Sequence, residues 1–377
     1  MGKHRLSLLV ALVLAIGLLA AGAQSPETPP FFFVQMSDPQ FGMFTKDKDF
    51  EQETLNFELA IATVNRWRPA FVVVTGDLVN KAGDLAQIAE FQRIAKKLGP
   101  SIPLYNVPGN HDIENEPTPE TVAAYNKRFG RDYYTFRSGT LAGIVLNSTL
   151  IHKPEKAREL YENQLTWLRA ELPRLRNSGA KHVVVFQHHP WFLKDAREAD
   201  EYFNIPAARR NVFLELFHQN GVRYLFSGHH HRNGAARDGE IEMTITGPVG
   251  MPQGDTPMSG LRVVVVRDSG LTHKFYGLGE LPNQIELNVP KKASNRYHSH
   301  RENSWIDSLS PLSLPALPFR PRSPRRGGDS SAERADLRLW FLNSFILPAR
   351  RTVVAAVTRA RVPRARHSSW RPHKAPR

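Results

Sequence analysis

Ile102-Pro-Leu-Tyr-Asn-Val-Pro-Gly-Asn-His-Asp112 sets a short apolar and aromatic run directly against a cluster of polar, chemically competent side chains. Ile102–Val107 reads as a strand, and Gly109-Asn110-His111-Asp112 as the turn that leaves its C-terminal end. The same juxtaposition recurs four times. Asp38 and Gln40 follow Phe31–Met36, and Gly76-Asp77 with Asn80 follow Phe71–Val74. His188-His189-Pro190 follows His182–Phe186, and Gly228-His229-His230-His231 follows Val222–Phe226. Ile144–Leu146, Met243–Ile245 and Leu261–Val266 read as further strands.

Between these runs the apolar period changes. Phe50, Phe57, Ile61 and Val64 fall at helical spacing, as do Leu160, Gln164, Trp167 and Leu168 with their apolar neighbours. Strands alternating with helices predict a layered α/β domain, and strands apolar at every position predict sheets covered on both faces. No internal repeat is present. In such folds the loops at the C-terminal strand ends converge on one crevice, so five polar segments can build one site. One Gly-Asp or one His after a strand is ordinary surface chemistry; five such segments together point to a metal centre of oxygen and imidazole donors.

Composition narrows the chemistry further. The chain of 377 residues contains no cysteine, which excludes disulfide scaffolds, zinc ribbons, thiolate nucleophiles and iron–sulfur clusters. Apolar residues at 41% and charged residues at 23% are ordinary globular usage. The net charge of +14 is confined to one end: residues 291–377 hold 19 basic and 5 acidic side chains, whereas residues 1–290 hold 31 of each. The body of the protein therefore carries no charge signature of nucleic-acid binding.

The two ends read differently from the middle. Lys3, His4 and Arg5 precede the apolar stretch Leu6–Ala20 and the small residues Ala21-Gly22-Ala23, the pattern of an export signal over residues 1–23. The expected location is periplasmic or secreted after cleavage, with an uncleaved N-terminal membrane anchor as the alternative. The absence of cysteine excludes a lipoprotein anchor. Residues 30–283 form the expected catalytic domain. Residues 284–377 turn basic and rich in Pro, Arg and Ser, which predicts a disordered tail. Such a tail is either a basic arm making weak contact with an anionic surface or a segment without function.

The order Asp38, Gly76-Asp77, Gly109-Asn-His-Asp112, His188-x-Pro190 and Gly228-His-x-His231 resembles the calcineurin-like metallophosphoesterase superfamily. Asp38-Pro-Gln-Phe-Gly42, Asp132-Tyr-Tyr, Asp200-Glu-Tyr-Phe-Asn204, His231-Arg-Asn233 and Leu261-Arg-Val-Val-Val-Val266 resemble a serine/threonine phosphatase branch of it. The resemblance covers about Phe31 to Leu281 and excludes both ends. It implies a four-layer α/β/β/α sandwich and two divalent ions (Mn, Fe or Zn). By the same resemblance Asp77 would bridge both ions. Asp38 and His231 would complete one ion, and Asn110, His188 and His229 the other. His111 would be the general acid, with Asp112 orienting its ring and raising its pKa.

Many relatives carry Asp-x-His in the first segment, where this chain has Gln40; weak or water-mediated ligation is its expected role. Arg232 is the expected substrate contact through a phosphate oxygen, surface pairing being its ordinary reading. His230 is expected to point away from the donors. His189, which follows a donor, is expected either to support the donors or to lie at the surface, the latter being its expected place. His152, His182, His218 and His273 read as ordinary polar residues. The resemblance implies hydrolysis of a phosphomonoester on a phosphoprotein or a small molecule. The rivals are a phosphodiesterase acting on nucleotides or lipid headgroups, and a non-catalytic anion-binding protein.

Overall fold

A computed structural model of the chain describes residues 28–254 and 258–287. The expected signal segment and nearly all of the expected tail lie outside the described residues. The strands are β1 (Phe31–Met36), β2 (Val72–Thr75), β3 (Leu104–Val107), β4 (Tyr134–Ser138), β5 (Leu141–Val145), β6 (His182–Phe186), β7 (Tyr224–Ser227), β8 (Gly234–Asp238), β9 (Ile241–Ile245), β10 (Gly260–Arg267) and β11 (Gly270–Gly277). They form two sheets, ordered β11-β10-β1-β2-β3 and β4-β5-β6-β7-β9-β8. Within the first, β1, β2 and β3 are parallel; within the second, β5, β6, β7 and β9 are.

Period-two alternation divides each strand between two cores. Phe33, Phe71, Val73, Val107 and Val264 of the first sheet meet Val145, Val184, Phe186 and Phe226 of the second. Phe32, Val34, Met36, Val72 and Val74 face the other way, toward the helices. The Phe33 ring stacks on Phe71 at 4.6 Å and meets Phe186 edge-on at 5.6 Å, filling the space between the sheets. Helix α1 (Glu51–Trp67) buries Phe57, Ile61 and Val64 on the first sheet's outer side, as their spacing predicts. Helices α2 (Leu85–Ala95), α3 (Asn110–Ile113), α4 (Pro119–Phe129), α5 (Ser148–His152), α6 (Arg158–Arg176) and α7 (Ala207–Gln219) complete the helical layers. The expected four-layer α/β/β/α order is the one found.

Toward the C-terminal ends of the strands the space between the sheets turns polar. Gln35 Nε2 donates to Thr75 Oγ1 and to the Ser227 carbonyl, both at 3.1 Å. Its Oε1 accepts from Thr246 Oγ1 at 2.7 Å. A buried amide with every partner in place fixes the sheets against each other, because any slip would leave it unsatisfied. The ends of β1 and β2 are thereby held opposite those of β7 and β9. Three strands escaped the sequence reading: β4, β8 and β11. All three are edge strands. Their sequences, such as Gly-Ala-Ala-Arg-Asp for β8, lack the apolar continuity of the interior strands.

Candidate metal centre

The loops leaving β1, β2, β3, β6 and β7 carry all the predicted donors, and they need unusual backbone to do so. Asp38, Gln40, Asp77, His229 and His231 have φ of 49°, 43°, 50°, 66° and 53°, in the left-handed region that side-chain-bearing residues seldom occupy. Non-glycine strain of this kind costs about 1–3 kcal/mol per residue and persists where the surroundings over-determine it. Close packing of the loops supplies that constraint. A Cβ on Gly109 would lie 2.2 Å from Asp77 Oδ1, and one on Gly228 would lie 2.4 Å from Asp38 Oδ2. Only glycine lets these segments approach the carboxylates so closely.

Two buried clusters result, and they share Asp77. Donor atoms of Asp77, His188 and His229 lie within 4.8 Å of one another, and so do those of Asp38, Asp77 and His231. His188 Nε2 is 3.2 Å from Asp77 Oδ2, and His231 Nε2 is 3.4 Å from Asp38 Oδ1. Asn110 Oδ1 approaches His188 Nε2 at 3.0 Å. Each imidazole is aimed by a backbone carbonyl: His188 Nδ1 faces Thr75 O at 2.8 Å, and His231 Nδ1 faces Met251 O at 2.6 Å. With Nδ1–H donated to a carbonyl, Nε2 presents a lone pair to the centre. His229 is turned the other way, its Nε2 on Tyr202 O at 3.2 Å, which frees Nδ1.

This donor set fits cations. When His188 is neutral, its Nε2 lone pair, the Asn110 amide oxygen and a carboxylate oxygen converge around Asp77 with no hydrogen to share. Gln40 adds a second sign: it is 1% exposed, its Nε2 donates to Asn80 Oδ1 at 3.2 Å, and its Oε1 is buried with no hydrogen-bond partner among the described residues. Buried acceptors left facing one another are costly unless a cation completes them.

The same crowding moves the ionisation equilibria. Burial alone would raise Asp77, but the charges of His188, His111 and His229 override it and hold its carboxyl below the usual range. Burial disfavours the charged form of His188, yet Asp77 and Asp38 raise it to about 9. His231 is raised by Asp38 against its burial. Burial, with the nearby His188, pushes His229 well down.

His111 stands beside the shared carboxylate, half-buried, its backbone N–H donating to Asp77 Oδ1 at 2.9 Å. Its Nδ1 faces Asn80 O at 2.6 Å, which leaves Nε2 free. The expected role of Asp112 is corrected here. Its carboxylate does not hold the His111 ring; it accepts from the backbone N–H groups of Leu78 (2.8 Å), Val79 (3.2 Å) and Gly109 (2.8 Å). Asp112 thus ties the Asp77 loop to the Asn110 loop, and Asn80 takes the aiming role. Burial and the charge of Asp77 push Asp112 up, while those amide donors pull it back.

His189 is also corrected: it is buried, stacks on His152 at 4.7 Å, and shares Ser148 Oγ with the His188 backbone N–H. Ser148, the first residue of α5, therefore supports the His188 segment. The His230 ring lies 5.0 Å from Phe203 and belongs to neither donor cluster. Arg232 is exposed, with its guanidinium against Gly254. Tyr202, which carried no role in the sequence reading, lies over the donors: its ring is 5.0 Å from His229 and its hydroxyl 3.4 Å from Asn110 Nδ2.

A two-sheet α/β sandwich with two donor clusters sharing one carboxylate defines a hydrolase of the dinuclear phosphoesterase class, and comparison with known proteins agrees. The sequence pattern of the calcineurin-like phosphoesterase family matches residues 33–233, and the chain belongs to that family. It is 37% identical over 267 residues to the bovine (Bos taurus) serine/threonine-protein phosphatase CPPED1, covering 67% of this chain and 85% of the relative. Two solved structures share the fold. GAP50, the anchor in the inner membrane complex of Plasmodium, superposes with a TM-score of 0.52 at 14% identity, over 68% of this chain and 87% of that one. The purple acid phosphatase PPD1 from yellow lupin (Lupinus luteus) also gives 0.52, at 13% identity, over 68% of this chain and 52% of that one.

Proposed function

We propose that this phosphoester hydrolase cleaves phosphomonoesters, with phosphorylated serine or threonine as the substrate class, through ions held by the two donor clusters. The observation that carries this reading is the sharing of Asp77 between two buried donor groups, with the free Nε2 of His111 beside it. Asp38, Asp77 and His231, with Gln40 as the weaker donor, would hold one ion; Asp77, Asn110, His188 and His229 would hold the other. The mixture of carboxylate, amide and imidazole suits manganese, iron or zinc. When bound, two such ions supply a water of lowered pKa and positive charge against the phosphoryl oxygens.

The remaining work falls to this chain's own side chains. His111, with Nδ1–H given to Asn80 O, carries a proton on Nε2 and delivers it to the ester oxygen as the P–O bond breaks. The leaving group departs as a neutral alcohol while the phosphoryl group passes to the oxygen of water, giving inorganic phosphate for a monoester, and no covalent bond to the protein forms. Asp112 keeps the two loops in register and so holds His111 and Asp77 at their separation. The phosphoprotein substrate is supported by the 37% identity to CPPED1.

Rates on an aryl phosphate monoester and on the corresponding bis-aryl diester test this directly. Hydrolysis of the monoester at least tenfold faster supports the reading; faster diester cleavage replaces it with a phosphodiesterase, and no turnover of either with metal present leaves an anion-binding protein. The residue 1–23 pattern supports export, checked by the N-terminal sequence of the mature protein: a start near Gln24 is the expected result, and a retained Met1 is the anchored alternative.

A further inference from the structure

Asp200-Glu-Tyr-Phe-Asn204 contains an exposed aromatic residue on a heavily braced loop. Tyr202 is 52% exposed, whereas Asn204 and Ile205 are fully buried. Exposed ring surface contributes nothing to stability, yet the loop is fixed at a cost in buried polar groups. The Glu198 carboxylate accepts from the backbone N–H groups of Leu193 (2.7 Å), Lys194 (2.9 Å) and Asp195 (3.2 Å). Asn204 Nδ2 donates to Glu198 Oε1 at 2.8 Å, and the buried guanidinium of Arg210 reaches the carbonyls of Glu198 and Trp191. Burying a guanidinium and an amide to hold a solvent-facing ring favours a role in binding over one in folding.

Tyr202 also grips the donor set from two sides. Its carbonyl faces His229 Nε2 at 3.2 Å, and its hydroxyl oxygen accepts from Asn110 Nδ2 at 3.4 Å. Because the phenol oxygen accepts that bond, its own hydrogen is free to point outward over the centre. We infer that Tyr202 is a substrate-contacting residue: its O–H donates to a non-bridging phosphoryl oxygen of the ester, and its exposed ring walls the side where the leaving group enters. This rests on the phosphoesterase reading for the identity of the ligand, and its test separates the two.

The test uses the full-length, metal-loaded protein with Tyr202→Phe and Tyr202→Ala, and inorganic phosphate as the probe. Loss of a hydrogen bond to a charged group predicts about tenfold weaker phosphate binding in both variants. kcat/KM should fall by about the same factor on aryl and alkyl monoesters in Tyr202→Phe. In Tyr202→Ala the aryl-to-alkyl ratio should fall several-fold further, since only that variant removes the ring. Melting temperatures should stay at the parent value, which a bracing role would not allow. Unchanged phosphate affinity in Tyr202→Phe would overturn the inference. Should the parent hydrolyse no ester at all, the phosphoesterase reading falls, while the phosphate titration still decides whether Tyr202 contacts the anion.

Discussion

The two halves of the centre share Asp77 and differ in almost everything else. On one side stand Asn110, His188 and His229, with two imidazoles and an amide oxygen aimed at a single carboxylate. On the other stand Asp38 and His231, with Gln40 supplying an amide whose nitrogen is already committed to Asn80. The first half has its donors fixed independently, by Thr75 O, Tyr202 O and the packed strand ends. The second places a single imidazole and a weak neutral donor around its own carboxylate. Each half carries one carboxamide, but beyond the shared Asp77 one half adds two imidazoles and the other one imidazole and the Asp38 carboxylate, so the halves should hold their ions with unequal affinity.

Asp77→Asn cuts across the comparison, because it strikes both halves at once. Turnover should fall by about 10³-fold or more, with loss of both ions, since one neutral amide cannot replace a carboxylate facing two cations. Metal analysis and activity on the same sample check it, and retention of two ions would show that Asp77 is not shared. His111→Ala sharpens the comparison from outside both halves. It should keep its metal yet lose about 10²-fold on an alkyl phosphate, and distinctly less on an ester with an acidic phenol, which leaves without a proton. Equal losses on the two esters would remove His111 from the acid role. The smallest change is Gln40→His, which gives the weaker half the donor type of the stronger. A chelator titration should show the weaker ion held several-fold more tightly, with hydrolysis preserved. An unaltered titration would mean that position 40 does not face the ion.

A second contrast explains how much of this could be read from the sequence. Interior strands announce themselves because both faces are buried, so β1 and β6 read as largely apolar runs with ends assigned to the residue. The edge strands β4, β8 and β11 expose one face and mix polar with apolar residues, and periodicity passes over them. Most donors were legible for a related reason: all but Asn110 follow an interior strand, so the topology that makes the strand obvious also places the ligand. Asn110 follows the edge strand β3 and was legible from its Gly-Asn-His-Asp segment. What the sequence could not show is backbone. The carbonyls that aim the rings belong to Thr75, Met251, Tyr202 and Asn80, and a carbonyl has no residue type. Asp112 was misassigned because adjacency in sequence suggests contact with His111, whereas the short turn at Gly109 swings its carboxylate back onto backbone amides. His189 looked like surface because its supporting hydroxyl, Ser148, is 41 positions away.

The central claim is that this chain is a dinuclear phosphoesterase built on one shared carboxylate. Titrating metal-free full-length protein with manganese, following bound metal and monoester hydrolysis together, tests it most directly. The account predicts two ions per chain, the first bound more tightly, with turnover rising only as the second is taken up. Saturation of turnover at one ion per chain, or full activity without metal, would contradict it.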